Sequence, residues 1–430
     1  MSLAAFESIA VATAMPIIAR DLHALGVYSW GFNAYICASL VGMVLSGLLC
    51  DRGRLREVTG GAIILFAAGA VVAGLAPTMA VLVAGRAVQG FAGGAIVVAV
   101  YVVMARAFPT EIRPRAFVLL SAAWVVPSLV GPAVAGVVAE QWSWRVVFLV
   151  VPLLVIGPSL VILPVLRTLS VVDGMPAPGA RRRLGWALVA AAALALTQDG
   201  LLRWDWPGAL ETIVGLTTLV IAARILLPRG ALRLARGLPT TVVMRGIAAW
   251  AYFAAEAFIP LAMVEQRNLS ASAAGLALSI AAIGWLTGSW SQGRLPATTD
   301  RPRMVRWAML LVAVSIASLP LALIPTVPWW IVIISFALGA VGMGLTFPTL
   351  AVLVFSLSPT AEQGVNSSAL QICDSMACVL GIGIAGAVLA AAVAGGGPTA
   401  VTFTLIWGAC ALVALGGSLA APRMRAPAPA

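Results

Sequence analysis

The stretch Trp144–Leu166 reads WRVVFLVVPLLVIGPSLVILPVL, and Arg167 ends it. From Val146 to Leu166 there is no charged side chain. A helix needs about 20 predominantly apolar residues to cross a hydrocarbon core of about 30 Å, so this run is long enough to span one. Apolar runs of the same kind recur in both directions, broken by charge and by Pro and Gly clusters. Five precede it, near 3–19, 29–50, 58–76, 79–106 and 114–139. A polar stretch from Arg167 to Arg183, with Asp173, Pro176 and Pro178, follows it. Two more runs lie near 184–202 and 208–227, and a basic loop from Pro228 to Pro239 leads to the last six. These are near 240–264, 270–291, 304–324, 328–356, 364–393 and 399–420. The sequence thus predicts an all-α polytopic membrane protein with 14 transmembrane helices. The boundary between the third and fourth is soft, since only Pro77 and Thr78 separate them.

Composition agrees. The chain of 430 residues is 62% hydrophobic and 10% charged, with a mean hydropathy of +1.05. A soluble domain carries roughly 25% charged residues to coat its surface, so a soluble globule is excluded. The net charge of +11 comes from 26 arginines and no lysine, scattered among apolar runs. A nucleic-acid binder would show a basic patch interleaved with aromatics, and there is none, so no nucleic-acid partner is expected. The cysteines Cys37, Cys50, Cys373, Cys378 and Cys410 fall almost entirely within apolar segments. There a thiol behaves as a small hydrophobe, so neither a disulfide framework nor a zinc site is expected. His23 is the only histidine, in a loop, and no metal site is expected. No basic region precedes the first apolar run, so no cleavable signal peptide is expected. An intramembrane enzyme would need a metal-ligand cluster or paired aspartates, and a sensor would need a sizeable soluble domain. Neither is present in the sequence.

Arginine placement sets the orientation. With both termini on the cytoplasmic side, only Arg20, Arg145, Arg203 and Arg267 fall outside and only Arg86 lies within a span. The remaining arginines, Arg245 among them, fall on inner loops and helix ends, as the positive-inside rule requires. Removing one helix would invert every later loop, whereas removing the pair 184–227 would not, so the rule supports an even count. Trp30, Trp142, Trp144, Trp204, Trp206, Trp329 and Trp330 gather at the outer edge as an aromatic belt. An internal repeat at one constant offset relates Ala87, Gly94, Pro109 and Thr110 to Ala337, Gly344, Pro359 and Thr360. The same offset relates Gly131 and Gly136 to Gly381 and Gly386. Two six-helix bundles of like orientation, with two helices inserted between them, fit these facts. The expected domains are 1–167, a linker at 168–239 holding the inserted pair, 240–422, and a tail at 423–430.

An ionisable group at mid-membrane is costly and by default marks function. Glu7 lies roughly 16 Å from the outer end of the first helix at 1.5 Å per residue. Asp374 is near mid-depth in the thirteenth segment, and Glu256 is a little shallower in the ninth. Arg86, in the fourth, is the one deep cation and is long enough to approach Glu7. Desolvation favours the neutral carboxyl and wetting the ionised one. Such a group in a cavity that opens alternately to each side can collect a proton outside and release it inside. Each of these side chains also has a plain reading as a buried pair that only fixes packing.

The resemblance then becomes specific. Phe6-Glu7-Ser8-Ile9-Ala10-Val11-Ala12-Thr13-Ala14-Met15-Pro16, continuing to Asp21-Leu22, resembles the first-helix signature of fourteen-helix drug:proton antiporters of the major facilitator superfamily. Tyr28-Ser29-Trp30-Gly31-Phe32-Asn33-Ala34-Tyr35 continues the likeness. Gly47-Leu48-Leu49-Cys50-Asp51-Arg52-Gly53-Arg54 resembles the superfamily's loop between helices two and three, but lacks one residue before the glycine. Leu82, Arg86-Ala87-Val88-Gln89-Gly90 and Gly93-Gly94 resemble the fourth-helix motif linked to proton transfer. Gly131-Pro132-Ala133-Val134-Ala135-Gly136 resembles the fifth-helix antiporter motif, with Ala135 where glycine is usual. Trp144-Arg145 before Phe148 also fits.

The likeness covers most of the chain and implies two parallel repeats rocking about a central site. It implies proton-coupled efflux of amphipathic drugs, dyes or secreted metabolites, with the proton gradient in place of any cofactor. The alternative on the same scaffold is a metabolite importer or uniporter. Glu7, Arg86, Asp374 and Glu256 would couple protons. Glu7, Glu256, Asp374 and Gln371 would line the substrate cavity, with Glu7 nearer the proton and Asp374 nearer a cationic substrate. Gly47, Asp51, Arg52, Gly53 and Arg54 would form a cytoplasmic latch between the halves. The partners implied are a small-molecule substrate, protons and the bilayer of the cell membrane, with the chain acting as a monomer. The family generally has a longer lead before the first helix, which from Met1 to Ile18 reaches only about 27 Å. Either the native start lies upstream or the first helix is trimmed.

Overall fold

The computed structural model describes residues 2–107, 127, 129–166, 180–203, 205–296, 298–359 and 362–425. The side chains at 2–5, 7–9, 51, 101, 105–107, 180, 181 and 364 are outside that description. Among the described residues the long elements are all helices: α1 (Ser2–Asp21), α2 (Trp30–Asp51), α3 (Leu55–Gly74), α4 (Met79–Ala107) and α5 (Trp144–Val165). Next come α6 (Ala180–Leu202), α7 (Trp206–Leu226), α8 (Leu238–Arg267) and α9 (Ala271–Gly293). The last are α10 (Arg301–Ser318), α11 (Ile331–Leu357), α12 (Gln363–Ala394) and α13 (Ala400–Ala420). In lipid only a segment that satisfies its own backbone can cross, and the local sequence supplies the ends. Asp205 accepts the Gly208 N–H, Ser270 that of Ala273 and Asp300 that of Arg303. Proline sits in the first turn of α7, α8 and α10, where a missing N–H costs nothing.

Twelve described segments are long and apolar enough to cross a membrane. The expected count of fourteen separate spans is therefore not obtained. Residues 129–138 are helical but most of the expected fifth helix lies outside the described residues. A π-helical turn at Ala139–Ser143 joins 129–138 to α5, so 129–165 counts as one run of 37 residues. The helix α1, which ends on Arg20 and Asp21, is not among the twelve.

The contacts between loops define the two ends of the bundle. At one, here the Asp21 end, Arg145 pairs with Asp21 at 3.1 Å and donates to the Ala76 carbonyl. There too Arg267 donates to the carbonyls of Ala322, Ile324 and Val327, and Gln266 to that of Pro398. At the opposite end Arg425 pairs with Asp300 at 2.6 Å, and the Gly237 N–H bonds the Arg423 carbonyl. Trp142, Trp206 and Trp330 are exposed at the Asp21 end, where side chains of that kind meet an interface. Trp144 departs from the expected belt: it is buried and its indole N–H donates to Asp21 at 2.8 Å. Trp204 lies outside the described residues.

Packing repeats along the chain. Helix α2 crosses α4, and α9 crosses α11. A Cβ on Gly94 would overlap the Ser39 carbonyl of α2, and one on Gly344 would overlap the Trp285 carbonyl of α9. Those two glycines are partners in the sequence repeat, and each lets two backbones touch in equivalent places. Helix α8 is buried along nearly its whole length, between α11, α12 and α13. Helices α6 and α7 pack on each other, and α6 also touches both α2 and α12.

Candidate functional site

Two of the expected acids can be placed with their surroundings, and one cannot. Glu7 sits on the α1 backbone, but its side chain is outside the described residues. Arg86 is buried on α4, with Nε donating to the Gly31 carbonyl at 3.1 Å and Nη1 to Gln89 Oε1 at 3.3 Å. Its guanidinium lies 4.5 Å from the Tyr35 ring centroid. The anchors of this deep cation thus include a carbonyl and a ring from α2.

Glu256 is half-buried on α8 and makes no hydrogen bond or ion pair among the described residues. One turn before it, Tyr252 and Phe253 open an aromatic wall. Tyr252 stacks on Phe336 at 4.6 Å, and Phe253 lies 6.3 Å from Trp285 and 6.0 Å from Phe347. Trp285 meets Phe347 edge-on at 5.0 Å. The wall therefore draws on α8, α9 and α11, and no single-residue signal in the sequence hinted at it. The helical spacing of Tyr252 and Phe253 to Glu256 is the signal that was available.

Asp374, on α12, is paired. Arg245 of α8 approaches it with Nη2 3.5 Å from Oδ2. The same guanidinium sits 3.5 Å from the centroid of the Phe347 ring and donates Nη1 to the Phe347 carbonyl at 3.4 Å. Arg245, expected on an inner loop or helix end, stands in the first third of α8 with its guanidinium turned toward Asp374. Helix α8 starts at Leu238 with Pro239 in its first turn. Arg245 therefore stands about 10 Å along it at 1.5 Å per residue. The proline marked that start in the sequence. Gln371 lies one turn before Asp374 on α12 and is exposed.

The glycine motif of residues 131–136 faces the second half of the chain. A Cβ on Gly136 would come within 2.5 Å of the Ser272 Cα, and one on Gly275 within 3.0 Å of the Pro132 carbonyl oxygen. Glu140 completes the contact by accepting the Ser272 N–H at 3.0 Å and its hydroxyl at 2.8 Å. A Cβ on Gly131 would instead meet the Phe6 ring of α1 at 3.2 Å. Further links between the halves lie at the same end: Arg20 to Glu265 at 2.9 Å and the Tyr28 hydroxyl to the Ala257 carbonyl at 2.9 Å. The sequence also passed over a buried polar cluster. Asn33 of α2 donates to Gln198 of α6 at 2.6 Å and to the Val379 carbonyl of α12 at 3.1 Å. Gln198 donates to Ser29 at 2.7 Å.

The expected loop motif starts inside a helix, since residues 47–51 are the last turn of α2; a Cβ on Gly47 would meet nothing within 4 Å, and the Asp51 side chain is outside the described residues. Gly53 holds φ +78°, the left-handed region that glycine enters without strain. Arg52 is exposed, and Arg54 pairs with Glu57 three residues on. The Arg54–Glu57 pair is local.

Comparison with known proteins fits this architecture. A sequence model of the Major Facilitator Superfamily matches residues 1–382. An uncharacterized MFS-type transporter of Mycobacterium tuberculosis is 30% identical over 379 residues, covering 83% of this chain and 53% of its own length. The chain thus spans about half the length of that relative. A probable multidrug-efflux transporter of the same organism is 26% identical over 401 residues, covering 87% of this chain and 82% of its own. The crystal structure of a peptide transporter in complex with sulfate superposes with a TM-score of 0.70 at 15% identity, over 98% of this chain and 93% of that one. That last likeness concerns the fold alone. With the family match over most of the chain, the paired helix crossings and the run of membrane-spanning helices, the chain belongs to the major facilitator superfamily of membrane transporters.

Proposed function

We propose that the protein exports amphipathic small molecules across the cell membrane in exchange for protons. The observation that carries this reading is Glu256, a carboxyl on a membrane-spanning helix with no internal partner among the described residues, one turn from an aromatic wall. An unpaired acid in such a place is free to titrate as its surroundings wet and dry, and aromatic faces suit flat apolar cargo. Glu7 and Arg86 form the proton-handling side on α1 and α4, and Asp374 with Gln371 lines the path on α12. The relatives described as multidrug efflux proteins support the cargo class. The antiporter-like glycines that seat Gly136 on Ser272 support export.

In this reading residues 1–167 and 240–422 are two bundles of like orientation, with the 168–239 segment inserted between them, and both termini face the cytoplasm. Protons and the cargo are the only ligands required, and a monomer suffices. The test is dye efflux from inverted membrane vesicles with an imposed proton gradient. Glu7→Gln and Glu256→Gln are each expected to lose gradient-driven transport. Full gradient-driven transport by both variants would sink the proposal.

A further inference from the structure

The Arg245–Asp374 pair is only half satisfied. Its one close contact is Nη2 to Oδ2 at 3.5 Å, with the side chains 13% and 19% exposed. Arg245 Nε and Asp374 Oδ1 are both buried with no hydrogen-bond partner. An open donor and an open acceptor thus belong to one pair inside the span. Beside them stand Phe347, already in face contact with the guanidinium, and Trp285 edge-on to it.

The chemistry of a fitting ligand follows from what each kind of cargo would have to break. A lipophilic cation that carries no N–H cannot complete Asp374 Oδ1, and it becomes the counter-ion of that acid only by displacing Arg245, which leaves a guanidinium uncompensated within a membrane span, at high cost. A carboxylate instead meets the open Nε and leaves the existing pair intact. A planar guanidinium is also the side chain whose fork matches a carboxylate. A donor elsewhere on the same ligand would complete Asp374 Oδ1.

We propose that Arg245 is the receptor for the carboxylate of an aromatic acid or zwitterion, and that Asp374 holds the guanidinium in position. Phe347 and Trp285 face the ring system of the cargo. This deepens the export reading and rests on it: the preferred cargo becomes an amphipathic acid or zwitterion, and a simple lipophilic cation becomes the poorer one. It reverses the expectation that Asp374 serves cationic substrates, because that acid already has its cation.

The test needs neither a gradient nor a vesicle. Equilibrium binding of rhodamine B and of its ethyl ester is measured on the purified full-length chain in detergent. The two dyes share one ring system, and the ester only masks the carboxylate. The acid is expected to bind about tenfold tighter, equivalent to about 1.4 kcal/mol. Arg245→Gln should bring the acid down to the level of the ester, and Arg245→Lys should keep part of the preference. Asp374→Asn should weaken the preference for the acid without abolishing it, because the amide oxygen still accepts from the guanidinium, whereas a cation receptor at Asp374 would lose the ester. Equal or tighter binding of the ester, a preference that survives Arg245→Gln, loss of ester binding alone in Asp374→Asn, or failure of both dyes to bind would each overturn the assignment. A chain that shows the preference and yet exports nothing would overturn the export reading alone.

Discussion

Glu256 and Asp374 are both carboxyls on membrane-spanning helices, and their neighbours differ. Asp374 has a guanidinium at 3.5 Å, while Glu256 has no hydrogen bond or ion pair among the described residues and stands one turn from the aromatic wall. A neighbouring cation offsets part of the desolvation of a carboxylate, so of the two acids the one without such a partner is better placed for the proton exchange proposed above. Glu256→Gln is therefore expected to cut gradient-driven efflux at least about tenfold, while dye still binds within about threefold of the wild type, since an amide of the same shape keeps the cavity. Loss of binding equal to the loss of transport would assign Glu256 to cargo contact. Outside the membrane, Asp300 shows the opposite electrostatics. Its carboxyl is held below the usual value, first by the Arg303 N–H and then by Arg425. A depressed carboxyl contributes above its ordinary pKa and loses that contribution as pH falls through the lowered value. At neutral pH the tether to Arg425 is thus in force. Asp300→Asn is expected to release the segment 421–425 and speed tryptic cleavage after Arg423 and Arg425, and an unchanged cleavage rate would show that the packing of Met424 suffices.

At the scale of the element, the 129–138 helix separates two glycines that look alike in sequence. A leucine at 136 would drive into the backbone of α9, whereas one at 131 would meet the movable ring of Phe6. Overpacking typically costs about 1–3 kcal/mol, and against backbone there is no rotamer to absorb it. Gly136→Leu is expected to open the Asp21 end and abolish transport, with Gly131→Leu retaining a measurable part. Cysteines replacing Glu140 and Ser272 report on this directly: they should cross-link in the parent protein and fail to do so once Gly136→Leu is added. The inserted helix α6 makes a second joint. Gln198 accepts from Asn33 of α2 and donates to Ser29 just before it, while Asn33 also bonds α12. Removing one partner from a buried hydrogen bond costs about 1–3 kcal/mol. Gln198→Leu should accordingly lower the thermal unfolding midpoint, and a midpoint equal to that of the wild type would mean that α6 is only an apolar neighbour.

Across the whole molecule, the described polar links between the two halves collect at the Asp21 end. Arg20–Glu265, Tyr28–Ala257 and Glu140–Ser272 join them there. An exporter that alternates must break this set to open that end, so the set is the free-energy balance between its two states. Arg20 is half exposed in its pair, so this link is salt-screened and worth little; the backbone seat of Gly136 is the stronger part. Helices α6 and α7 turn at Asp205, which caps α7 and lies at the Asp21 end beside Arg203. A cysteine at 205 should therefore react with a membrane-impermeant thiol reagent from the same face as one at 142, and labelling from opposite faces would refute the spanning pair.

The sequence by itself determined the class, the punctuation and the repeat. Apolar length is set by the thickness of a bilayer, so runs such as Val146–Leu166 could only be helices, whereas the starts of α7, α9 and α10 follow the caps Asp205, Ser270 and Asp300 rather than the apolar runs near 208, 270 and 304. The resemblance carried by residues 6–16, 82–94 and 131–136 pointed to the superfamily that the comparison then showed. Gly94 and Gly344, matched as letters, proved to be equivalent backbone crossings. What only the tertiary structure decided is who meets whom. Arg245 looked like a loop cation until α8 carried it along to Asp374, 129 residues away in the chain. The aromatic wall draws on three helices, and no linear spacing records it. Trp144 left the interface for Asp21 because the turn after the π-helix aims its ring inward. The physical reason is common to all of these: hydropathy and capping act along one helix, whereas the charge, burial and partners of a side chain are properties of the neighbours that packing brings to it.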